Sequence, residues 1–583
     1  MSLDLAIRGG TVIDGTGGPG RQADIGIANG RIAEIAPRLS DSAARTIDAQ
    51  GLVVAPGFVD IHTHLDAAVL WDDTLSPSPL HGVTTVIGGN CGFTVAPLTP
   101  DARDYLLAML ARVEGMPAES LAAGLDWDWN TTAEYLDRTD QPLAANTGFL
   151  VGHSAIRRTV MGQRSDELAT ADEVEAMVAL LRAGLDSGGL GFSTSTSNTH
   201  HDGDGRPVPS RAASRDEIIA LCQAVRDTAA TVVEISPGVE GFDPELAGLM
   251  ADMSLAADRP VNWNPVIVDA ATESGGWDRL RLSDVAAERG AEVLALTIPL
   301  AITARHCLAT PSVLAALPGW EDPMALPHDQ RRTLLADPVR RQELDRSARS
   351  VKMRLSHLAD WGAYVIGEAF SPQTEALVGH TVGEVAAERG VSPWDALCDI
   401  AVADDLRTVL VSTSSGADQA DWEARARFWT DDRVVMGASD AGAHLDQLDF
   451  FTYTTGSLAA SRKFGLLSLE EHVRQLTDVP ARLYGLAGRG RLAEGWHADL
   501  VVFDPDTVAP GPVHTRYDLP ADAGRLYGEA VGVASVVVNG AEVVSIGRYT
   551  DARPGHLLRA GRDTEPVTLA NRRLNPTVTE GAQ

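Results

Sequence analysis

The stretch "VVAPGFVDIHTHLD", residues 53–66, decides how this chain is read. It is an apolar run of strand composition that ends by delivering His62 and His64. Side chains on a strand alternate faces, so residues two apart point the same way. Two imidazoles presented together at a strand end can share one metal ion.

Upstream of that stretch the chain reads as paired strands. "LAIRGGTVID" is followed by "ADIGIANGRIAEIA", in which Asn29-Gly30 separates two alternating runs, a strong hairpin signal. The C-terminal part repeats the pattern in "HADLVVFDP" and in "VASVVVNGAEVVSIG", where Asn539-Gly540 supplies the tight turn. Two β-rich ends around one long middle predict a discontinuous small β-sandwich domain, residues 1–55 with 488–583, assembled where the ends meet.

Downstream, short apolar runs such as "TTVIGG", "GLGFSTS", "ATVVEIS", "RPVNWNPVIV", "EVLALTIPL" and "RVVMGASD" alternate with helical patterns such as "ADEVEAMVALLRAGLDSG". This alternation means parallel βα units. No glycine-rich dinucleotide fingerprint follows a strand, and several strands end in polar, ligand-capable residues. The expected α/β fold is therefore a (β/α)8 TIM-type barrel over 56–487, with function at the C-terminal ends of its strands. An insertion is expected around 269–350, where extra helix and the segment "LPHDQRRTLLADPVRRQELDRSARS" exceed one βα unit.

Composition narrows the function. The chain has 583 residues and a formal net charge of −32, which argues against nucleic acid and against an anionic membrane face. No apolar run is long enough to span a bilayer, and the four cysteines, Cys91, Cys222, Cys307 and Cys398, lack CxxC spacing. The expectation is a soluble cytoplasmic protein acting on a small molecule; a homo-oligomer stays open. The only lysines are Lys352 and Lys463, neither on a convincing barrel strand, so a carboxylated lysine is a poor expectation for the metal site. A cysteine thiolate is a good soft ligand for zinc. Cys222 and Cys398 fall on apolar faces of helical patterns and read as core.

With the histidine pair, the strings "GGNCGF" (88–93), "GHSAIRRTVMG" (152–162), "GLGFSTS" (189–195), "GHTVGEVAAERGVSPWDAL" and "PARLYGLAGRGRLAEGWHADLVVFDP" resemble the amidohydrolase superfamily, in the branch that contains N-acyl-D-amino-acid deacylases. The resemblance covers nearly the whole chain. It implies that His62 and His64 are first-strand metal ligands, that Cys91 stands where relatives use a carboxylated lysine, and that Asp440 in "VVMGASDAGAH" is the last-strand aspartate, a metal ligand and proton carrier. The fifth- and sixth-strand runs, "TVVEISPG" and "PVNWNPVIV", lack the histidines that the branch places there. Glu234 lies near the first vacancy; Asn262 and Asn264 lie near the second and suit substrate hydrogen bonds better than zinc. The shell is completed by Cys91 or Glu234, or by a rearrangement that uses His200 or His201 of "NTHHDGDGRPVPSR". Substrate-binding candidates are His153 and Arg157, His201, Asn264, Arg354 beside His357, and His444, with arginine the natural partner of a carboxylate.

The expectation is a divalent-metal hydrolase, with zinc, that opens the C–N bond of an N-acyl amino acid or related linear amide. Cyclic-amide hydrolysis or deamination on the same barrel is the rival enzyme reading. A barrel that binds without catalysis is the rival from another class, and the joint presence of His62, His64 and Asp440 counts against it.

Overall fold

The computed structural model describes residues 3–309, 313–350, 356–412 and 416–571. Its centre is built by parallel pairing alone. Phe58–Asp60, continued by His62–Thr63, is followed around the structure by Val83–Gly88, by Asn146–Phe149 with Val151–Gly152, then by Gly191–Ser195, Val232–Ser236, Val261–Trp263 and Val293–Thr297, and finally by Val434–Met436 with Ala438–Ala441. Each piece pairs parallel with the next, and Ala438 returns to pair with His62, which closes a ring of eight strand positions.

These strands are buried on both faces, as in "VTTVIG" and "VVEIS", which is why they read as continuous apolar runs rather than alternations. Amphipathic helices cover the outside. Ala171–Asp186 starts at a capping box of Thr170 with Glu173 and turns Met177, Leu181 and Leu185 inward, at the spacing of one helix face. Arg215–Arg226 does the same with Ile218, Leu221, Cys222 and Val225.

Both chain ends enter one nine-stranded sheet, whose main path runs Arg548–Tyr549, Ala541–Ser545, Val533–Val538, Leu500–Phe503, Val53–Pro56, Leu3–Val12, Arg21–Ala28 and Arg31–Ala36. The expected turns are present: Asn29 and Gly30 have φ of 52° and 74°, Asn539 and Gly540 of 44° and 83°. Asparagine and glycine tolerate this left-handed region best. Val53–Pro56 lies inside this sheet, between Leu500–Phe503 and Leu3–Val12, and leads straight into the ring strand that carries His62.

The extra material overlaps the expected 269–350 and runs on beyond it. Glu273–Arg279 and Arg281–Glu288 follow the sixth ring strand, and Leu282 and Ala286 pack with the ring's own core. A separate hydrophobic cluster spans residues 308–410, between the seventh and eighth ring strands, around Trp320, Trp361 and Trp394. It carries a three-stranded antiparallel sheet of Arg305–His306, Val409–Val411 and Val365–Glu368. No helix among the described residues is long and apolar enough to cross a membrane.

Candidate metal centre

The first ring strand ends at Thr63, whose hydroxyl donates to the Ile87 carbonyl of the second strand at 2.9 Å. The histidines on either side of it, His62 and His64, are both buried, with ring centroids 5.3 Å apart. The alternation read from the sequence therefore holds at the strand end, where it matters.

Cys91 reaches them from the turn after the second strand. Gly89 makes that turn possible: its φ is 78°, and a Cβ there would lie 2.5 Å from the Leu150 carbonyl oxygen. Cys91 Sγ stands 3.7 Å from His62 Nε2, and ligand atoms of His62, His64 and Cys91 all lie within 4.8 Å of one another. His62 Nδ1 is buried with no hydrogen-bond partner.

Asp440 enters from the eighth strand in a left-handed conformation, φ 58°, which aspartate tolerates better than most residues. Its Oδ1 lies 3.5 Å from His62 Nε2 and 3.1 Å from His64 Nε2. Burial alone would push the Asp440 pKa up; the two histidines outweigh it and hold the carboxyl well below its usual range. On His64, burial is likewise outweighed, by Glu114 and Asp440, and the ring is held up to about 10.

Glu234 and Asn264, on the fifth and sixth strands, occupy the floor. Glu234 Oε2 accepts the Cys91 amide at 2.8 Å, and its other oxygen accepts from Asn264 Nδ2. Asn264 Oδ1 faces Cys91 Sγ at 3.7 Å. The carboxylate thus fastens the cysteine's backbone to the sixth strand. Burial pushes Glu234 up to about 8.

Several buried acids of the site escaped the sequence reading. Glu114 Oε1 lies 3.4 Å from His64 Nδ1, and burial pushes its pKa up to about 7. Asp66 accepts the Gly89 amide at 3.0 Å, and Asp60 ties the first strand to the eighth by accepting the Ser439 amide at 3.2 Å. Asp60 and Asp66 are in the string that opened the sequence reading, where acids beside a histidine pair are a usable signal. Glu114 ends the helix Pro100–Val113 and carries no such mark.

This donor set fits a divalent ion. It offers imidazole nitrogen and cysteine sulfur within 4.8 Å of one another, with a carboxylate oxygen of Asp440 beside both histidines and surrounding acids whose charge a cation would offset. Nitrogen and sulfur together suit zinc.

Other expected site residues lie elsewhere. His153 and Arg157 are a correction: both are fully buried, His153 Nε2 is 2.9 Å from Glu217 Oε1, and Arg157 pairs with the same carboxylate. Arg157 also donates to the Glu167 carbonyl at 2.5 Å, so it braces the wall and cannot meet a substrate carboxylate. His201 is also corrected, since it is held in its own loop by the Thr199 carbonyl at 3.1 Å and by Arg211 at 3.4 Å. His200 is the member of that pair that faces the centre: Ser195 holds its Nδ1 at 2.7 Å, and burial and then His64 depress it to about 3. His444 follows Asp440 closely, its amide bonded to the Glu114 carbonyl at 2.5 Å. Arg354 and Lys352 lie outside the described residues; Lys463 is exposed on the helix Tyr453–Phe464.

The family model described as the amidohydrolase family matches residues 45–324 and 359–544. D-aminoacylase from Alcaligenes xylosoxydans xylosoxydans is 31% identical over 568 residues, 95% of this chain and 97% of that protein. A solved D-aminoacylase, studied for one-metal activation and second-metal attenuation in its binuclear centre, has a TM-score of 0.63 at 28% identity, over 96% of this chain and 100% of that one. N-acyl-D-glutamate deacylase from Bordetella bronchiseptica, complexed with zinc and a phosphonate mimic of the tetrahedral intermediate, has a TM-score of 0.64 at 26% identity, with the same coverage. The paired histidines, the cysteine and the late aspartate thus sit in a chain that belongs to the amidohydrolase family, in its D-aminoacylase branch.

Proposed function

We propose that this protein is a metal-dependent hydrolase that cleaves the C–N amide bond of N-acyl amino acids. One observation carries the reading: a single Asp440 oxygen reaches both first-strand histidines, with the Cys91 thiol alongside. His62, His64 and Asp440 would hold the ion, assisted by Cys91. Bound there, a divalent ion lowers the pKa of water and polarises a carbonyl.

Asp440 accepts a proton from the attacking water and passes it to the nitrogen as the C–N bond breaks. Its depressed pKa keeps it ionised to begin that cycle. Glu234 positions Cys91, and Asn264 and His444 stand where they can hydrogen-bond the substrate.

In this reading the ring of parallel strands, 56–487, is a (β/α)8 TIM-type barrel whose strand ends carry the centre. The described residues of the chain ends, 3–55 and 488–571, build the small β domain beside it on their shared nine-stranded sheet. No disulfide joins the four cysteines, which supports a reducing, cytoplasmic setting.

The test combines metal analysis with turnover. The purified protein is expected to carry about one equivalent of zinc or to be activated by added zinc, and to hydrolyse acylated amino acids rather than cyclic imides. Asp440→Asn should lower kcat by about 100-fold or more while leaving metal bound, the scale of a lost general base. Unchanged turnover in D440N would refute its role.

A further inference from the structure

Glu114 belongs to none of the strands that build the metal centre, yet it meets two of the segments that do. The helix Pro100–Val113 ends at this residue, and the Glu114 amide closes its last turn on the Leu110 carbonyl at 3.0 Å. Ala102, Leu106, Met109 and Leu110 bury one face of the helix, so packing sets where its end lies. The Glu114 carbonyl accepts the His444 amide at 2.5 Å, in the loop that follows Asp440. Gly115 permits that approach: its φ is 59°, and a Cβ there would lie 2.9 Å from His444 Nδ1.

The Glu114 side chain turns to the first strand instead. Its Oε1 lies 3.4 Å from His64 Nδ1, while the other ring nitrogen of His64 faces Asp440 at 3.1 Å. Glu114 is 4% exposed and His64 2%, so the pair is shielded from solvent. The groups that converge on the centre all stand on the Nε2 side: Asp440 Oδ1 and Cys91 Sγ face His62 Nε2 at 3.5 and 3.7 Å.

A neutral imidazole divides its roles between its nitrogens, one carrying the proton and the other a lone pair. A carboxylate at Nδ1 accepts the proton there, which leaves the lone pair on Nε2. That is the nitrogen a metal ion needs. His62 has no such partner, since its Nδ1 is buried without a hydrogen bond.

We propose that Glu114 is a positioning residue: its carboxylate holds His64 in the tautomer and ring orientation that offer Nε2 to the ion, and its carbonyl holds the loop after Asp440. Carboxylates behind metal-binding imidazoles act in this way, and their loss costs about 10–100-fold in metal affinity. The role rests on the metal-dependent reading of the centre and not on which amide is cleaved. Because Glu114 is set behind His64, its removal is felt first in the metal and only through it in turnover.

The natural full-length protein, Glu114→Gln and Glu114→Ala are prepared metal-free, and circular dichroism checks their fold. Zinc affinity is measured by competition with a chromophoric chelator, and kcat for an N-acyl amino acid is then measured at saturating zinc. Expected are zinc binding weaker by about 10–100-fold in E114A, and by about threefold or more in E114Q, whose amide oxygen accepts the same proton without the charge. In both variants kcat at saturating zinc should stay within about tenfold of the natural value. Unchanged zinc affinity in E114A overturns the role; where E114A does not fold, unchanged affinity in the isosteric E114Q does so. A larger loss of kcat that saturating zinc does not restore also overturns it, because Glu114 would then act in the chemistry itself. A natural protein that binds zinc but turns over no N-acyl amino acid overturns the deacylase reading, and the affinities of the variants still decide the role of Glu114. One that binds no zinc overturns both.

Discussion

At the residue scale, the centre depends on contacts between side chains that are distant in sequence. Cys91 has an unusual backbone, φ 57°, and its amide is satisfied by Glu234 of the fifth strand. Replacing Glu234 by leucine would leave that buried N–H, and the Asn264 amide, without an acceptor. Such groups cost about 1–3 kcal/mol each. Urea unfolding of E234L should therefore show a loss of about 2–5 kcal/mol, and a loss below about 0.5 kcal/mol would remove Glu234 from its positioning role. His62, His64 and Asp440 could be named from their motifs. Arg157 could not be excluded that way, because nothing in "GHSAIRR" tells that Glu217, far along the chain, neutralises it.

At the scale of elements, the helices of the ring announce themselves locally. The Thr-x-x-Glu box at 170–173 and the inward spacing of Met177, Leu181 and Leu185 are properties of one short segment. The insertion is different. Its core joins Trp320 to Trp361 at 5.4 Å between ring centroids and Trp361 to Trp394 at 4.7 Å, residues with no common periodicity. Its limits, expected around 269–350, are therefore not marked by any local pattern in the sequence. Trp394→Ala should cost about 3–5 kcal/mol, the range for a large buried aromatic. Hydrogen exchange should show that loss within 308–410 and leave the ring strands protected; uniform loss across the chain would mean that the insertion is not a unit of its own.

At the scale of the whole molecule, the two halves are joined by buried polar contacts that pH can break. His81 is fully buried; its Nδ1 is 2.7 Å from the Thr455 hydroxyl and its Nε2 3.1 Å from the Gly528 carbonyl, so it ties the ring to the C-terminal part. Burial lowers its pKa from 6.5 to about 4. The folded form thus takes up a proton less readily than the unfolded one. Stability from this group is full above pH 6.5 and is lost as pH falls from there to about 4. Against His81→Gln, the natural protein should lose on the order of 3 kcal/mol across that window, and parallel stability curves for the two would overturn the assignment.

What the sequence determined by itself was everything carried by short-range pattern: alternating parallel βα units, the Asn-Gly hairpins at both ends, and the presentation of His62 and His64 by a strand end. Period and turn chemistry are local, so they are legible without a partner. The tertiary structure decided which acids surround the histidines, that Glu234 and Asn264 hold Cys91, that His200 rather than His201 faces the centre, and that His153 and Arg157 belong to the wall. Those are facts of ring closure: they depend on which strand ends meet across the axis, and burial together with the neighbouring charges then shifts the groups enclosed there.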